Sequence, residues 1–371
     1  MTIYLDYAAT SPMRPAVIDT MLAAMQVYGN PSSVHAAGRE ARKAIDEARM
    51  TIAQSIGAKD TEIIFTSGGT EADNTAIFGV AYANRHKGKH IITTQVEHHA
   101  VLHACEKLQK EGFDVTYLPV DANGAVSVAA VKQALREDTI LVTIMLANNE
   151  VGTIQPIAEI GALLREHPAT FHTDAVQAYG VLPIEVDELA VDYLSVSAHK
   201  IGGPKGIGFV YQRTGAAFSP LLFGGQQERM RRATTENVPA IIGFAKAVAM
   251  RTEVDYLAFK QLMQDTWQAA GITYAINGTN TLPQIFNVSF AGVDVESMLV
   301  NLDMAGICAS SGSACTAGAI DPSHVLVAMY GEGAPELRNA IRFSFGFSTT
   351  AQEVEQAAKQ VAEIVTRLVN L

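Results

Sequence analysis

The sequence predicts an α/β fold, with a mostly parallel seven-stranded sheet wrapped by helices and a smaller α+β lobe after it. Seven short apolar runs alternate with longer segments of helical periodicity, which is typical of a parallel sheet covered by helices. After about residue 255 this alternation gives way to fewer strands and a closing helix. The 371-residue chain, 48% hydrophobic, is also too long for one undivided core.

The elements follow in chain order. The predicted strands of the large sheet are EIIFTS (62–67), KHIITT (89–94), DVTYLPV (114–120), TILVTIML (139–146), ATFHTD (169–174), VDYLSVS (191–197) and GIGFVYQ (206–212). Helices are predicted between several of them and over 33–55. The smaller lobe has the strands PQIFNVSF, GICAS and AIRFSFG. We therefore predict a large domain over 15–255 and a small domain formed by 1–14 and 256–371.

Composition excludes several classes of protein. A formal net charge of −11 argues against nucleic acid or an anionic membrane as the main partner. No apolar run approaches the roughly 18 residues that cross a bilayer. Three cysteines without regular spacing do not make a disulfide framework, and the start MTIYLDYAATSP lacks the pattern of a signal peptide. We expect a cytoplasmic protein.

Lys200 and Asp174 are the first candidate site residues. Lys200 follows a predicted strand in SVSAHKIGGPKGIG, and Asp174 ends the strand ATFHTD, so both lie at the carboxyl edge of the sheet, where ligands gather. A lysine there can form an imine with an aldehyde, and an aspartate can keep a pyridine nitrogen protonated. The alternatives are a solvated lysine and a helix N-cap aspartate. Together the pair points to pyridoxal 5'-phosphate.

Two further motifs fit that cofactor. EIIFTSGGTEADN is a strand, a glycine turn and a helix, so Gly69 and Thr70 present N–H groups to a phosphate, although any strand-to-helix corner can use glycine. His98 follows the next strand, where it can stack on a ring and transfer protons. His99 and His103 are spaced as a metal pair, but no other cluster supplies further ligands, so we predict no metal site.

Cys315 lies in SSGSACTAG, where almost nothing around it can pack. Serine, glycine and alanine are too small to anchor a segment. The composition predicts a thiol on a segment that is not packed in place.

The blocks YLDYAAT, GNPSSVH, SGGTEADN, VEHHAV, NNEVGTIQP, HTDAVQ, SVSAHKIGGPKGIG, TTENVP and SSGSACTAG occur in this order. In this respect the chain resembles the cysteine desulfurases, pyridoxal-phosphate enzymes of aminotransferase fold type I, over essentially its whole length. SSGSAC matches the long-loop group of that family. The resemblance implies that L-cysteine becomes L-alanine, while Cys315 takes the sulfur as a persulfide and passes it to an acceptor protein of iron–sulfur assembly or tRNA thiolation.

The resemblance also implies the role of each site residue. Catalysis would fall to Lys200, Cys315 and His98. The residues implied to bind the cofactor are Gly69, Thr70, His98, Asp174, Gln177, Ser197, His199, Lys200 and Thr235. Asn149 and Arg342 would bind the substrate carboxylate. Thr235 would reach the phosphate of the neighbouring subunit, which implies a homodimer.

Two positions depart from the family pattern. Gln226 and Thr234 stand where the family commonly has glycine, and a lost glycine can forbid a positive φ. A positive φ at either position would therefore strain the backbone near Thr235. Three other functions stay open: an aminotransferase, a selenocysteine lyase and a non-catalytic protein that keeps the fold.

Overall fold

The computed structural model describes residues 2–251, 254–311, 315–316, 319–320 and 322–370. All seven predicted runs of the large sheet form strands there. The strands are β1 (Ile3–Tyr4), β2 (Ile63–Thr66), β3 (His90–Thr94), β4 (Asp114–Leu118), β5 (Thr139–Thr143), β6 (Thr170–Asp174), β7 (Tyr193–Ser197), β8 (Gly208–Gln212), β9 (Tyr274–Ile276), β10 (Ile285–Phe290), β11 (Ile307–Cys308), β12 (Cys315–Thr316), β13 (Ala319–Ile320) and β14 (Ala340–Ser344). The helices are α1 (Pro15–Ala24), α2 (Ala36–Gln54), α3 (Gly69–Asn84), α4 (His99–Lys110), α5 (Val128–Ala134), α6 (Ile157–Leu164), α7 (Val186–Leu189), α8 (Gln227–Met230), α9 (Val238–Ala249), α10 (Tyr256–Ala269), α11 (Val295–Met304), α12 (His324–Tyr330) and α13 (Ala351–Val369).

The large sheet has the strand order β2-β8-β7-β6-β5-β3-β4. Strand β8 runs antiparallel to both of its neighbours, and the remaining pairs are parallel. The predicted mostly parallel, seven-stranded sheet is therefore confirmed. Because the parallel strands end at the same edge, the segments after β3, β6 and β7 meet there.

Helices cover both faces of this sheet, which explains why its strands are apolar along their whole length. Ile45 and Phe244, on α2 and α9, pack with Phe209 in the core of one face. On the opposite face, Ile77 on α3 and Val101 on α4 are fully buried in a second core.

A separate core lies in the C-terminal part of the chain. The antiparallel sheet β14-β10-β9 packs with α10, α11 and α13 around Trp267, which is fully buried and donates from Nε1 to the carbonyl of Ala358 at 3.1 Å. The first strand joins this part, because Ile3 pairs with Ile307 in a parallel ladder. The division into domains at residues 15 and 255 remains our prediction.

The segment after β1 crosses the carboxyl edge of the large sheet. The amide of Leu5 donates to the carbonyl of Cys308, and the amide of Ser11 donates to the carbonyl of His199. This crossing brings Ala8 and Ala9 over the ends of the sheet strands. In the part of the chain that the structure describes, no helix has the length and apolar character to cross a membrane.

Candidate cofactor and substrate site

A cavity of about 250 Å³ lies at the carboxyl edge of the large sheet. It is lined by Ala9, Gly69, Thr70, Asp73, His98, Met145, Ala147, Asn149, Asp174, Val176, Gln177, Ser197, His199 and Lys200. Nine of the predicted site residues therefore border one space, although they come from segments far apart in sequence.

Lys200 ends a short 3-10 turn, Ala198–Lys200, that directly follows β7. Its Nζ donates to the carbonyl oxygens of Ala8 and Ala9 at 2.5 and 2.9 Å. Burial lowers the pKa of Lys200 to about 8, with the charge of Arg342 acting in the same direction. The amine is therefore neutral more readily than an ordinary lysine, and a neutral amine is the form that attacks an aldehyde.

Asp174 is the last residue of β6 and is 7% exposed. Its Oδ1 accepts a hydrogen bond from the amide of Val176 at 2.8 Å. No helix begins at this point, since the next one starts at Val186, so Asp174 does not act as a helix cap. Burial raises the pKa of Asp174 to about 6. A buried carboxylate of this kind gains from a cationic partner, such as a protonated ring nitrogen.

Two more buried acids lie beside Asp174, and the sequence did not identify them. Asp73, on the first turns of α3, is 1% exposed, and its Oδ1 has no hydrogen-bond partner among the described residues. Burial and the charge of Asp174 raise its pKa. Glu97 is fully buried, and burial raises its pKa to about 8, although it accepts from Thr94 and from the amide of Met145. Among the described residues, none of these three acids forms a salt bridge with a lysine or an arginine, although the charge of Lys200 acts to lower the pKa of Asp174, so a paired positive charge is missing here.

His172 does not supply that charge. Its ring bonds to the hydroxyls of Thr143 and Ser195 at 2.8 and 2.9 Å, and Nε2 lies 3.7 Å from Oδ1 of Asp73. Burial lowers its pKa to about 3, so the ring is neutral. A ligand that carries a proton on a ring nitrogen would provide the missing cation.

The opposite side of the cavity suits an anion. Helix α3 begins at Gly69, and the first turn of a helix directs backbone N–H groups and a positive dipole end outwards. A Cβ atom added to Gly69 would lie 2.8 Å from Cγ2 of Val176 and 3.7 Å from Cβ of Ser197, so glycine keeps this corner open. His199 bonds through Nδ1 to the hydroxyl of Thr10 at 3.0 Å, and burial lowers its pKa to about 4.

His98 and Gln177 border the space between these two ends. His98 caps α4, because its Nδ1 accepts from the amide of Ala100 at 3.1 Å, which leaves Nε2 carrying the proton. Burial, followed by the charge of Lys200, lowers the pKa of His98 to about 4. The side-chain amide of Gln177 donates from Nε2 to the carbonyl of Ala8 at 3.0 Å. That carbonyl also accepts from Lys200, so the N-terminal segment positions both side chains.

Taken together, the residues fit a phosphorylated pyridine aldehyde. The N-terminus of α3 can bind a phosphate, and the amine of Lys200, with its lowered pKa, can react with an aldehyde. The buried carboxylate of Asp174 can pair with a protonated ring nitrogen. These three features lie at the ends of separate sheet strands and come together only in the folded chain.

Arg342 and Asn149 form the adjoining part of the site. Arg342, on β14, is 4% exposed, donates from Nη1 to the carbonyl of Asn149 at 2.8 Å and from Nη2 to Asp6 at 2.9 Å. Its Nε has no partner in the described structure. A buried guanidinium with an unused donor, beside a cavity residue, can bind a carboxylate.

Besides Arg342, which adjoins the cavity, two predicted residues are not among its described lining. Thr235 is exposed, and in a single chain it lies outside the lining. The backbone of Cys315 pairs with Ile320 in the β12–β13 ladder, but its side chain is outside the described part of the structure. Among the described residues, no group of histidine, cysteine and acidic side chains could hold a metal ion.

The two departures at family glycines do not strain the backbone. Gln226 has φ −88°, and Thr234 is not among the residues with positive φ. The left-handed residues lie between them, at Glu228, Arg229 and Met230. Glu228 is held there by a bidentate contact with Arg49 at 2.7 Å.

Comparison with known proteins agrees with this geometry. The family model described as aminotransferase class-V matches residues 3–357. The chain is 58% identical to the putative cysteine desulfurase IscS 1 of Bacillus subtilis, over 99% of both chains. Its fold is similar to a NifS-like protein, with a TM-score of 0.92, 35% identity and coverage of 99% and 100%. It is also similar to SspA solved in complex with cysteine, with a TM-score of 0.84, 38% identity and coverage of 93% and 99%.

Proposed function

This chain belongs to the aminotransferase class-V family and is a pyridoxal-phosphate-dependent cysteine desulfurase, and from that premise we propose how its residues divide the work. L-cysteine is the substrate, and its sulfur passes to Cys315. The observation that carries this proposal is the cavity in which Lys200, Asp174 and the Gly69 corner meet. The SspA structure, which holds cysteine, supports the choice of substrate.

Pyridoxal phosphate, when bound, supplies an electron sink for charge that develops on the substrate Cα. Asp174 holds a proton on the ring nitrogen, which requires the ionised form of its carboxylate. Lys200 would hold the aldehyde of the cofactor, and its amine is placed to take the proton from the substrate Cα. His98 would pack on the ring of the cofactor, and Gly69, Thr70, Ser197 and His199 would hold its phosphate.

Arg342 and Asn149 orient the substrate through its carboxylate. The thiolate of Cys315 then attacks the substrate sulfur, so that a sulfur–sulfur bond forms as the carbon–sulfur bond breaks. The electron pair of the broken bond stays on the carbon fragment, which takes up protons and leaves as L-alanine. The balance is cysteine plus a thiol giving alanine plus a persulfide, with no external oxidant.

The active form that we propose is a cytoplasmic homodimer. Three large apolar side chains are strongly exposed in the single chain: Tyr28 at 89%, Val34 at 88% and Phe223 at 84%. A second copy would cover them. Thr235 is exposed close to Phe223 in sequence, where it could reach the phosphate of the neighbouring subunit. The persulfide then passes to an acceptor protein of iron–sulfur assembly or tRNA thiolation.

The decisive experiment compares the wild type with Cys315→Ser. Cysteine and dithiothreitol are added to the cofactor-loaded protein, and absorbance, sulfide and alanine are measured. We expect equal sulfide and alanine from the wild type, and a loss of at least about 1,000-fold in Cys315→Ser with an unchanged cofactor spectrum.

Other results would favour another function. Undiminished sulfide release from Cys315→Ser would remove this thiol from the reaction. Alanine formed only with a keto acid present would indicate an aminotransferase, and a strong preference for selenocysteine in competition would indicate a lyase for that substrate.

A further inference from the structure

The cysteine segment, defined here as residues 310–323, has described contacts with the rest of the protein at both of its ends. At its start, Ser310 and Arg342 exchange both backbone hydrogen bonds, with N–O distances of 3.2 and 2.6 Å. Arg342 is the arginine proposed to bind the substrate carboxylate. The first end of the segment is therefore fixed to a substrate-binding residue through the backbone.

The second end is fixed through a buried side-chain contact. The hydroxyl of Ser323 donates to Oε2 of Glu150 at 2.5 Å. Ser323 is 4% exposed and Glu150 is 3% exposed, so water does not compete for either group. Burial raises the pKa of Glu150, whereas Ser323 and the charge of Arg342 act in the opposite direction.

Glu150 is itself held firmly beside Asn149. Its amide donates to the side chain of Asn148 at 2.8 Å, and its carbonyl accepts from Asn287 at 3.1 Å. The carbonyl of Asn149 accepts from Arg342 at 2.8 Å. A continuous chain of contacts therefore runs from Ser310 through Arg342, Asn149 and Glu150 to Ser323.

We propose that Glu150 and Ser323 are positioning residues for sulfur transfer, because they fix the second end of the cysteine segment to the residues that bind the substrate. The inference rests on the proposed function of Cys315. The residues that bind the substrate carboxylate are therefore joined to both ends of the cysteine segment. The distance between the substrate sulfur and the thiol of Cys315 depends on these contacts. Displacements of about 1 Å at a reacting centre can lower a rate about 100-fold.

A simple structural role for Ser323 would be that of a helix cap, since its Oγ also accepts from the amide of Leu326 at 3.2 Å. Ser127 offers a matched comparison. It caps α5, which like α12 has seven residues, and accepts from the amide of Ala130 at 3.0 Å. Ser127 lies outside the cavity and does not contact Glu150. A cap without the carboxylate contact therefore exists in the same molecule.

The experiment uses the cofactor-loaded protein with Ser323→Ala, Glu150→Ala and, as the control, Ser127→Ala. The dissociation constant of cysteine comes from the change in cofactor absorbance. The rate of persulfide formation on Cys315 comes from mass spectrometry after a single turnover. We expect Ser323→Ala and Glu150→Ala to keep cysteine binding within threefold and to form persulfide 10- to 100-fold more slowly.

Ser127→Ala should match the wild type in both measurements. Ser323→Thr keeps the hydroxyl, and Glu150→Gln keeps an acceptor oxygen, so both should restore persulfide formation to within about threefold of the wild type. Equal persulfide rates in Ser323→Ala and the wild type would overturn the inference, and so would an equal loss in Ser127→Ala. Absence of persulfide on Cys315 in the wild type would instead overturn the proposed function.

Discussion

Two cavities lie at opposite edges of the large sheet, and the larger one is not the proposed active site. The cavity at the amino edge measures about 650 Å³ and is lined in part by Arg165, Asp187, Asp192 and Arg213. The cavity at the carboxyl edge measures about 250 Å³. Size alone would have directed attention to the wrong end of the sheet.

The two cavities differ in how their charged groups are paired. At the amino edge, Arg213 contacts Asp187 at 2.7 Å and donates to the carbonyl of Val191 at 3.1 Å. At the carboxyl edge, the hydrogen bonds of Lys200 to described residues go to carbonyl oxygens, and Oδ1 of Asp73 has no partner among the described residues. Buried groups that lack partners identify a place prepared for a ligand.

The largest effect expected from this comparison concerns two lysines whose pKa values are lowered to a similar extent. Burial lowers the pKa of both Lys200 and Lys260 to about 8. Lys260, however, donates to Thr281 and to the carbonyl of Leu282 at 3.0 and 2.8 Å and does not line the active-site cavity. We expect Lys200→Ala to lower kcat at least about 1,000-fold. Lys260→Met should keep kcat within twofold but lower stability by about 1–3 kcal/mol.

Borohydride reduction of the cofactor-loaded protein followed by peptide mapping provides the matching structural readout. The pyridoxyl label should be found on Lys200 and not on Lys260. A label on Lys260 would show that a lowered pKa is sufficient without a cavity. Full activity in Lys200→Ala would show that Lys200 is not required. Either result would contradict the comparison.

The second prediction concerns the three buried acids. Burial raises the pKa of Asp174 to about 6 and of Glu97 to about 8, and burial with the charge of Asp174 raises that of Asp73. At these three carboxyl groups the folded chain therefore holds more protons than the unfolded chain between about pH 4 and pH 8. Stability that is fully present below about pH 4 is lost as the pH rises through the folded pKa values.

The lowered pKa values of His98, His172 and His199 act in the opposite direction below about pH 6.5. Cofactor-free protein should therefore be less stable at pH 8 than at pH 6.5, by on the order of 2 kcal/mol. Asp73→Asn removes one acid and should reduce that difference. Urea denaturation at pH 5, 6.5 and 8 provides the measurement, with Asp187→Asn from the amino-edge cavity as the control. A pH dependence unchanged in Asp73→Asn would mean that a raised pKa of Asp73 does not contribute to the pH dependence of stability.

Much of this arrangement could be predicted from the sequence, because parallel strands end at one edge. Asp174 ends a strand and Lys200 and His98 each follow one, so local patterns were enough to place them at the same edge. By sequence alone, Asp73 has the pattern of an acid in the first turn of a helix, like Glu71. Glu71 does bind Arg232 and the amide of Ser67. Asp73 lies three residues after Thr70, and side chains three apart on a helix share a face, which was the available signal.

Other features had no local signal. The contact between Glu150 and Ser323 joins positions 173 residues apart, and a serine before a helix is explained fully by capping. The carbonyls of Ala8 and Ala9 contact Lys200 through backbone atoms, which side-chain patterns do not record. Contacts of this kind follow from tertiary packing and become visible only in the folded chain.

The smallest expected effect tests the amino-edge cavity itself. Arg213 is one-third exposed and its partner Asp187 is 79% exposed, so their ion pair is screened by solvent. We expect Arg213→Ala to keep kcat/KM for cysteine within twofold and to lower stability by about 1 kcal/mol, since Arg213 also donates to the carbonyl of Val186. Steady-state kinetics and urea denaturation measure the two quantities. A tenfold fall in kcat/KM with normal cofactor absorbance would give the amino edge a role in the reaction, and paired charges would no longer distinguish a structural cavity from a functional one.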